Sequence, residues 1–395
     1  MLTMTENKKK DWATLLIHSD AVTPGGFHSL SSPTHRGSTV LFEKAEAATD
    51  HWNQYEVGYT YGLYGTPTTL ELAAKVCELE RGFRSIITPG GQGAISLVHL
   101  ALLQYGDHVL LPENIYGPNR NFASRILRRF GVEVGYYPPG IGAAIDSLFR
   151  DNTRVVWCES PGSITMEVQD VPAIANAAHK HGALVVLDNT WSAGIYFDAF
   201  AHGVDVTLQA LTKYVGGHSD LLLGSVTVRK PDLYERLGQT HQVLGCSASP
   251  DDCSLALRGM KTMAVRLKTI EQSALSLAQW LALRPEIETV LHPALPSCPG
   301  HELWKRDFTG STGLFSLVFQ PSFTKEQVRK FVDALQLFEI GYSWGGTTSL
   351  AMAYTLDSPK RPGYSHRIVR LYTGLESSAD LQADVEQALV AMKQG

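Results

Sequence analysis

The most informative stretch of this chain is Leu208-Gln209-Ala210-Leu211-Thr212-Lys213-Tyr214-Val215-Gly216-Gly217-His218-Ser219-Asp220. The apolar run from Val204 to Leu208 predicts a short buried strand, and Lys213 follows where that strand ends. A buried ammonium group without a partner is costly, so this lysine must reach solvent, pair with an acid or be covalently occupied. A lysine after a strand is ordinarily a solvated end, so the covalent interpretation needs support from the rest of the chain.

Two further segments supply what a covalently bound cofactor needs. Pyridoxal phosphate (PLP) is the commonest cofactor that takes a lysine amine as a Schiff base, and it also needs an acid at its pyridine nitrogen and a cradle for its phosphate. Asp188 ends the apolar run Leu184–Asp188, 25 residues before Lys213. The turn Gly90-Gly91-Gln92-Gly93 lies between a predicted strand and a predicted helix, where free N–H groups and the helix dipole favour an anion. Each feature alone has an ordinary structural explanation, but their order and spacing together predict a PLP site.

This arrangement resembles the Cys/Met-metabolism family of PLP enzymes, which includes the cystathionine β- and γ-lyases and their synthases. The resemblance extends from about His35 to Leu389. Its most specific pieces are Asp188-Asn189-Thr190-Trp191, Thr212-Lys213-Tyr214, Gly217-His218-Ser219-Asp220 and Gly341-Tyr342-Ser343-Trp344-Gly345-Gly346. The last piece resembles the cystathionine β-lyase branch in particular.

The composition excludes several other classes of protein. At 395 residues, with 44% hydrophobic and 18% charged residues, the chain is typical of a globular protein large enough for two domains. Its net charge of −5 disfavours a nucleic-acid partner. It has neither a long apolar run nor a hydrophobic segment after its N-terminal lysines, so we expect no membrane association and a cytoplasmic location. An odd number of scattered cysteines disfavours disulfides and a metal site.

Short strands alternate with helices across the middle of the chain, which predicts an α/β fold with a mostly parallel sheet covered on both faces. Ligands bind such sheets at the carboxyl ends of the strands, where Asp188 and Lys213 are expected. The seven predicted strands are Ser85–Thr88, His108–Leu111, Val132–Tyr137, Arg154–Glu159, Leu184–Asp188, Val204–Leu208 and Gly224–Val228.

The resemblance implies the PLP-dependent transferase fold type I, in which a large domain with this seven-stranded sheet precedes a smaller α+β C-terminal domain. We expect an N-terminal arm over residues 1–60, the PLP-binding domain over residues 61–250 and the C-terminal domain over residues 251–395. Elsewhere the periodicity predicts a strand at Leu314–Phe319 and helices over Leu70–Arg81, Ile95–Leu103, Lys325–Leu335 and Pro250 to about Leu283.

The arm is where the resemblance implies contact between subunits. His35–Phe42 resembles the family's entry strand. The sequence supports two positions of the arm about equally: it clasps a neighbouring subunit, or it packs on its own domain. Tyr61 matches a tyrosine that reaches the PLP phosphate of the adjacent subunit in relatives, whereas Leu63 replaces their arginine and removes a charge-assisted contact. The resemblance implies a homotetramer, a dimer of active-site-sharing dimers.

The resemblance also assigns roles further along the chain. It implies that the ring of Tyr116 stacks on the pyridine ring of PLP and that Thr212 donates its hydroxyl to the phosphate. Ala210 stands where many relatives have a second donor, a serine. Arg370 matches the arginine that binds the substrate's α-carboxylate through its planar guanidinium. The other substrate-binding residues that the resemblance implies are Tyr342, Ser343 and Trp344.

The expected activity is that of a PLP-dependent lyase with a small amino-acid substrate. The resemblance implies β-elimination of L-cystathionine or a related amino acid to a thiol, pyruvate and ammonia, a step of transsulfuration and methionine biosynthesis. Lys213 would take the α-proton, and Tyr116, Tyr61 or Lys213 would handle the proton of the leaving group.

Two alternatives stay open from the sequence. Thr347-Thr348 replaces the aromatic residue and glutamate that are usual in β-lyases, which allows a γ-lyase or γ-substitution enzyme with a methionine-, homoserine- or canavanine-like substrate. A PLP-binding homologue that has lost catalysis is the second alternative. The intact Lys213, Asp188, Tyr116 and Arg370 argue against it.

Overall fold

The computed structural model describes residues 11–17, 29–356 and 363–394, so residues 1–10 and 18–28 of the predicted arm lie outside the described part. Its α-helices are α1 Trp12–Ile17, α2 Gln54–Val57, α3 Pro67–Glu80, α4 Gly91–Leu102, α5 Gly117–Phe122, α6 Val171–Lys180, α7 Pro231–Leu244, α8 Pro250–Leu281, α9 His301–Asp307, α10 Lys325–Ala334 and α11 Ser378–Ala391. Its strands are β1 Arg84–Thr88, β2 His108–Pro112, β3 Glu133–Tyr137, β4 Thr153–Glu159, β5 Leu184–Asp188, β6 Val206–Gln209, β7 Gly224–Val228, β8 Ile287–Leu291, β9 Leu314–Phe319, β10 Glu339–Ile340, β11 Leu350–Leu356 and β12 Ser365–Tyr372.

The first seven strands form one sheet in the order β1-β7-β6-β5-β4-β2-β3. Neighbouring strands pair in parallel from β6 to β3, and β7 runs antiparallel to both of its neighbours. The prediction of a mostly parallel seven-stranded sheet is therefore confirmed, with strand ends displaced by no more than two residues. This topology brings the carboxyl ends of β4, β5 and β6 together at one edge.

Both faces of the sheet are buried because successive side chains of its strands point into different cores. On β2, Leu110 belongs to a core shared with α3, α6 and α8, whereas Val109 and Leu111 belong to a core shared with α4 and α7. Strands buried on both faces read as continuous apolar runs, which is why the sequence pattern located them.

Two helices begin earlier than their hydrophobic periodicity predicts. Helix α3 starts at Pro67 rather than Leu70, because the side chain of Thr66 accepts a hydrogen bond from the amide of Thr69 and Pro67 suits the first helical position. Helix α4 starts at Gly91 rather than Ile95, and Gly90 before it has a positive φ of 85°. Apolar periodicity cannot detect a first turn made of small residues.

The C-terminal part is built on a second sheet, in the order β10-β11-β12-β9-β8. Apart from the parallel pair β10–β11, its strands are antiparallel, and α10 and α11 cover it. The predicted strand Leu314–Phe319 is present, and α10 begins with a capping box between Thr324 and Gln327. Arg370 lies on β12 and pairs with Met352 of β11.

The predicted entry strand His35–Phe42 is wrong. In this segment only Thr39 forms an isolated bridge, with Tyr61, and most of its side chains are exposed. A strand needs a continuous partner ladder, and none of the described segments provides one here. Instead the backbone amide of His35 donates to Thr68 Oγ1, and Arg36 pairs with Asp251 at the start of α8. The proposed division at residues 60 and 250 stays a prediction.

Within the described residues, no helix is both long and apolar enough to cross a membrane. All five cysteines are free thiols, and four of them are buried, as expected for core residues.

Candidate active site

Lys213 lies in the turn that follows β6. Its backbone amide donates to Ala210 O, and its carbonyl accepts from the amide of Gly217 at 2.8 Å, so backbone hydrogen bonds fix the turn on both sides of Lys213. Its ammonium group donates to Ser343 Oγ at 2.7 Å and lies 5.2 Å from the centre of the Trp344 ring. Burial, together with the charge of Arg370, lowers the pKa of Lys213 to about 8, while Asp188 opposes the shift. A fraction of the amine is therefore neutral near pH 7, as a nucleophile or base requires.

Asp188 ends β5 beside the lysine turn. It pairs with Glu159 of β4 on one side and with Leu208 of β6 on the other. Thr190 donates to its carboxylate through both the backbone amide (3.1 Å) and the hydroxyl group (2.5 Å). Burial raises the pKa of Asp188, while the bonds from Thr190 and the charge of Lys213 lower it. The carboxylate is thus held at the position where a strand-end acid is expected.

The glycine turn between β1 and α4 is packed closely against the lysine segment. A side-chain carbon on Gly91 would lie 2.7 Å from the Cβ of Ala210, and one on Gly224 would lie 2.4 Å from the carbonyl oxygen of Gly90. Only glycine allows this approach, which leaves the first N–H groups of α4 open to a ligand. The side chain of Gln92 also ends here in a buried amide oxygen that has no hydrogen-bond partner among the described residues.

Thr212 uses its hydroxyl group within the protein. Its Oγ1 donates to Leu223 O and accepts from the amide of Leu223, both at 3.1 Å. These bonds fasten the lysine turn to the segment that enters β7. The donation to a phosphate that the family resemblance implies would require the hydroxyl to rotate away from Leu223.

Tyr116 precedes α5, in the loop that leaves β2. Its backbone amide donates to Glu159 Oε2 at 2.7 Å, and its ring is part-exposed. Burial, with the negative charges of Asp188 and Glu159, raises the pKa of its phenol. The ring is therefore a neutral, flat surface near the carboxyl end of β5.

Arg370 is buried, and Glu159 is the acid whose charge reaches it without forming an ion pair. Its guanidinium donates to Ser163 O at 3.1 Å and to Tyr342 O, and it lies 5.2 Å from the centre of the Tyr354 ring. A buried arginine ordinarily pairs with an internal acid, but among the described residues no carboxylate forms an ion pair with this one. A buried cation held by neutral groups is suited to an anionic ligand such as a carboxylate.

The site thus brings together Lys213, Asp188, the Gly91 turn, Ser343 and Arg370, but it does not bring in Tyr61. The ring of Tyr61 is 43% exposed, and its described ring contact is with Tyr64. Its predicted role concerns the neighbouring subunit, which a single chain cannot display. Tyr342 likewise lies at the surface of the single chain, where it is 71% exposed.

Three residues with direct contacts in the site were not anticipated from the sequence: Glu159, Ser163 and Tyr354. A signal for Glu159 existed, because it ends the predicted strand Arg154–Glu159 just as Asp188 ends the next strand. Ser163 contributes through its backbone carbonyl and Tyr354 through a cross-strand position, and neither leaves a local pattern in the sequence.

The residues present fit PLP. The fit comprises a lysine with a lowered pKa, an acid at the neighbouring strand end, and a helix start that a single side-chain carbon at residue 91 would obstruct. With Arg370 beside them, the arrangement can hold an amino acid by its carboxylate next to a base.

Comparisons with known proteins agree with this geometry. The family described as Cys/Met metabolism PLP-dependent enzyme matches residues 13–390. The chain is 45% identical to a putative cystathionine beta-lyase of Rhizobium johnstonii, with 93% of each chain covered, and 39% identical to the cystathionine beta-lyase MetC of Escherichia coli, with 96% and 98% covered. It is also 34% identical to an L-alanine/L-glutamate racemase of Wolbachia pipientis, with 92% and 93% covered. Among solved structures, metB from Corynebacterium glutamicum matches with a TM-score of 0.88 and 28% identity over 97% of this chain and 98% of that one.

Proposed function

The chain belongs to the Cys/Met metabolism family of PLP-dependent enzymes, and from that membership we propose that its substrate is L-cystathionine. It is a PLP-dependent carbon–sulfur lyase. The proposed reaction adds one water and releases homocysteine, pyruvate and ammonia. The observation that carries the proposal is the amine of Lys213, whose pKa is lowered to about 8, in a site where Arg370 forms no ion pair with any described carboxylate.

Seven residues are proposed to hold the cofactor. Lys213 would bind it covalently, Asp188 would accept a hydrogen bond from its ring nitrogen, and Gly91 and Gln92 at the start of α4 would receive its phosphate. Thr212 would add a hydroxyl donor after rotation, and the rings of Tyr116 and of Tyr61 from a second subunit would complete the cofactor site. When bound, PLP supplies an electron-withdrawing ring that stabilises negative charge at the α-carbon of the substrate.

The chain's own groups would carry out the remaining work. Arg370 binds the α-carboxylate, which fixes the amino acid relative to the amine of Lys213. The neutral amine of Lys213 takes the α-proton, and Ser343 Oγ, 2.7 Å from that amine, orients it. Tyr342 and Trp344 flank the same space, and Tyr116, Tyr61 or Lys213 then protonates the departing thiolate.

A shared active site implies an assembly, and we propose a homotetramer made of active-site-sharing dimers. Support comes from the arm region, where Leu30 and Leu41 are almost completely exposed in the single chain, and from the outward position of Tyr61. We also propose a cytoplasmic location, because five free thiols suit a reducing compartment.

The test is to incubate the purified, PLP-loaded protein with cystathionine, cystine, methionine, homoserine derivatives and canavanine, and to identify the keto acid and the amine products by mass. Pyruvate and homocysteine from cystathionine are expected. Lys213→Ala should lose both turnover and the visible absorbance of the bound cofactor. Release of 2-oxobutyrate or homoserine instead would assign γ-chemistry and give Thr347-Thr348 a role in specificity.

Amino-acid racemisation is a second candidate activity, favoured by the similarity to the Wolbachia pipientis racemase. It would need the same α-proton removal by Lys213 followed by return of a proton to the opposite face of the α-carbon. L-Alanine and L-glutamate in deuterated water test it, since racemisation would incorporate deuterium into the D-enantiomer without releasing a keto acid.

A further inference from the structure

Glu159 is a buried acidic residue that the proposed reaction does not use. It is 5% exposed and ends β4, directly opposite Asp188 at the end of β5. Its carboxylate accepts the backbone amide of Tyr116 at Oε2 (2.7 Å) and the hydroxyl of Ser163 at Oε1. One side chain therefore joins the loop after β2 to the loop after β4.

The loop after β4 in turn holds Arg370. The carbonyl of Ser163 accepts from Arg370 Nη1 at 3.1 Å, while the hydroxyl of the same serine is fastened to Glu159. The two loops also pack closely, because a side-chain carbon on Gly162 would lie 2.1 Å from the side-chain nitrogen Nδ2 of Asn114. Movement of Glu159 would thus shift the backbone of Tyr116 and the oxygen that orients Arg370.

We propose that Glu159 is a positioning residue that aligns Tyr116 with the cofactor and Arg370 with the substrate carboxylate. The inference rests on the proposed function, because the roles of Tyr116 and Arg370 are part of it. Glu159 itself acts through these two residues and touches neither the cofactor nor the substrate in this proposal.

The charges around Glu159 indicate how it can be replaced. Asp188 faces it from β5, and Arg370 faces it from β12, with the phenol of Tyr116 on the third side. Burial and the nearby Asp188 raise the pKa of Glu159, which favours its protonated form. A glutamine keeps the shape of that protonated form and an oxygen that can accept from the amide of Tyr116. Glu159→Gln is therefore the conservative variant, and Glu159→Ala removes both contacts.

The test compares the PLP-loaded wild type, Glu159→Ala and Glu159→Gln by two measurements. The circular dichroism of the bound cofactor reports the asymmetry of its surroundings, and spectral titration with L-alanine gives the Kd of an amino acid that carries the α-carboxylate. Glu159→Ala should weaken L-alanine binding about 10-fold and reduce the cofactor's dichroism, because the loops of Tyr116 and Ser163 both lose their hydrogen bond to residue 159. Glu159→Gln should restore the dichroism and bring the Kd to within about threefold of the wild type.

Asp205→Asn provides a matched control. Asp205 is equally buried, but it lies before β6 at the opposite end of the strands, where it accepts from the amide of Val185. This variant should lose stability without changing the dichroism or the Kd. If Glu159→Ala keeps the wild-type values of both, Glu159 does not position the site and the proposal fails.

A second variant tests the effect of Glu159 on Arg370 separately from its effect on Tyr116, and it can be used if Glu159→Ala does not fold. Ser163→Ala removes the hydroxyl bound to Glu159 but leaves the contact between Glu159 and Tyr116. It should weaken L-alanine binding about threefold while leaving the cofactor's dichroism unchanged. Equal Kd values for Ser163→Ala and the wild type would show that Glu159 does not position Arg370 through Ser163. Neither readout requires turnover, so a failure to release pyruvate from cystathionine would reject the proposed substrate without deciding the role of Glu159.

Discussion

Lys213 shows how much of a residue's chemistry depends on its surroundings. The sequence places a lysine after a strand, but its reactivity comes from burial and from Arg370, which lies 157 positions later in the chain. Both effects disfavour the charged amine, and together they outweigh the opposing charge of Asp188.

This balance predicts the pH dependence of cofactor loading. Only the neutral amine can attack the aldehyde of PLP, so the loading rate of the apo-protein should rise with pH and reach half of its maximum near pH 8, the pKa of Lys213. Arg370→Gln removes a positive charge that lowers this pKa, so it should move the midpoint to higher pH. Stopped-flow absorbance of the bound cofactor measures both midpoints.

The control for this measurement is Lys213→Ala, which should show no absorbance of covalently bound cofactor at any pH. A wild-type midpoint near 10.5, the ordinary value for a lysine, would show that burial and Arg370 do not act on the amine as inferred.

Ser343 gives a second contrast between sequence and structure. The sequence associated it with the substrate, whereas the structure places its hydroxyl 2.7 Å from the amine of Lys213.

The strand–turn–helix unit formed by β1 and α4 illustrates the limits of periodicity. Propensity alone disfavours a helix start at Gly91 and Gly93, since glycine is among the poorest helix formers. Contact with Ala210 nevertheless requires Gly91, so tertiary packing overrides the local preference. The predicted turn was in the right place, and the position of the helix start depended on a segment more than a hundred residues away.

Replacement of Gly91 by alanine should therefore damage the cradle. The added carbon would lie 2.7 Å from the Cβ of Ala210, which forces α4 away from the lysine turn. We expect a stability loss of about 1–3 kcal/mol from overpacking and a PLP affinity reduced about 10-fold or more. Equilibrium dialysis against PLP and thermal unfolding of the apo-protein measure the two effects.

Gly93→Ala is the matched control in the same turn of helix. Its added carbon would meet Pro89 at 3.5 Å, an ordinary contact, and alanine favours the helix by up to about 1 kcal/mol. It should bind PLP like the wild type. Equal losses in the two variants would mean that the contact with Ala210 does not determine the cradle.

The complete enzyme should contain sites assembled from two chains, as the exposed Tyr61 indicates. Lys213→Ala and Tyr61→Phe should each be strongly impaired alone, but mixing their subunits restores sites that carry both wild-type residues. If subunits exchange freely, the mixture should regain about a quarter of the wild-type activity, because half of the dimers are hybrids and half of their sites are intact. Pyruvate release before and after co-refolding measures the recovery.

No recovery in mixtures whose hybrid content is verified by mass spectrometry would place Tyr61 outside the partner's site. Mixing each variant with itself under the same conditions is the control for refolding. Recovery in those controls would invalidate the comparison.

Acid stability is a property of the whole fold that two buried histidines should influence. His99, stacked 4.4 Å from the ring of Trp157, and His292 both have a pKa lowered to about 4 by burial. Between pH 6.5 and pH 4 the unfolded chain binds protons at these positions and the folded chain does not, so stability falls as the pH falls. Each histidine should cost about 2–3 kcal/mol at pH 4.5 relative to pH 7.5.

Urea unfolding of the apo-protein at these two pH values, at one protein concentration, measures the difference. His99→Gln should be less stable at pH 7.5 but should lose less on acidification than the wild type. An unchanged difference between the two pH values would show that His99 takes up a proton in the folded state.

Local patterns in the sequence were sufficient to determine the alternation of strands and helices, the mostly parallel sheet, and the placement of Asp188 and Lys213 at strand ends. Such features follow from burial, and burial leaves a periodic or continuous apolar signal in neighbouring residues. The PLP family was likewise recognisable from short motifs. The false strand at His35–Phe42 shows the limit, since a strand also needs a partner ladder that no local pattern can supply.

The contacts that tune the site came only from the folded chain. Glu159 faces Asp188 through strand register, Ser343 reaches Lys213 across 130 residues, and the carbonyl of Ser163 holds Arg370 across 207. Each joins segments that are far apart in sequence, and some use backbone atoms that every residue possesses. Their geometry depends on how the two sheets pack together, and for that reason neither the lowered pKa of Lys213 nor the position of Glu159 could be deduced from residue order.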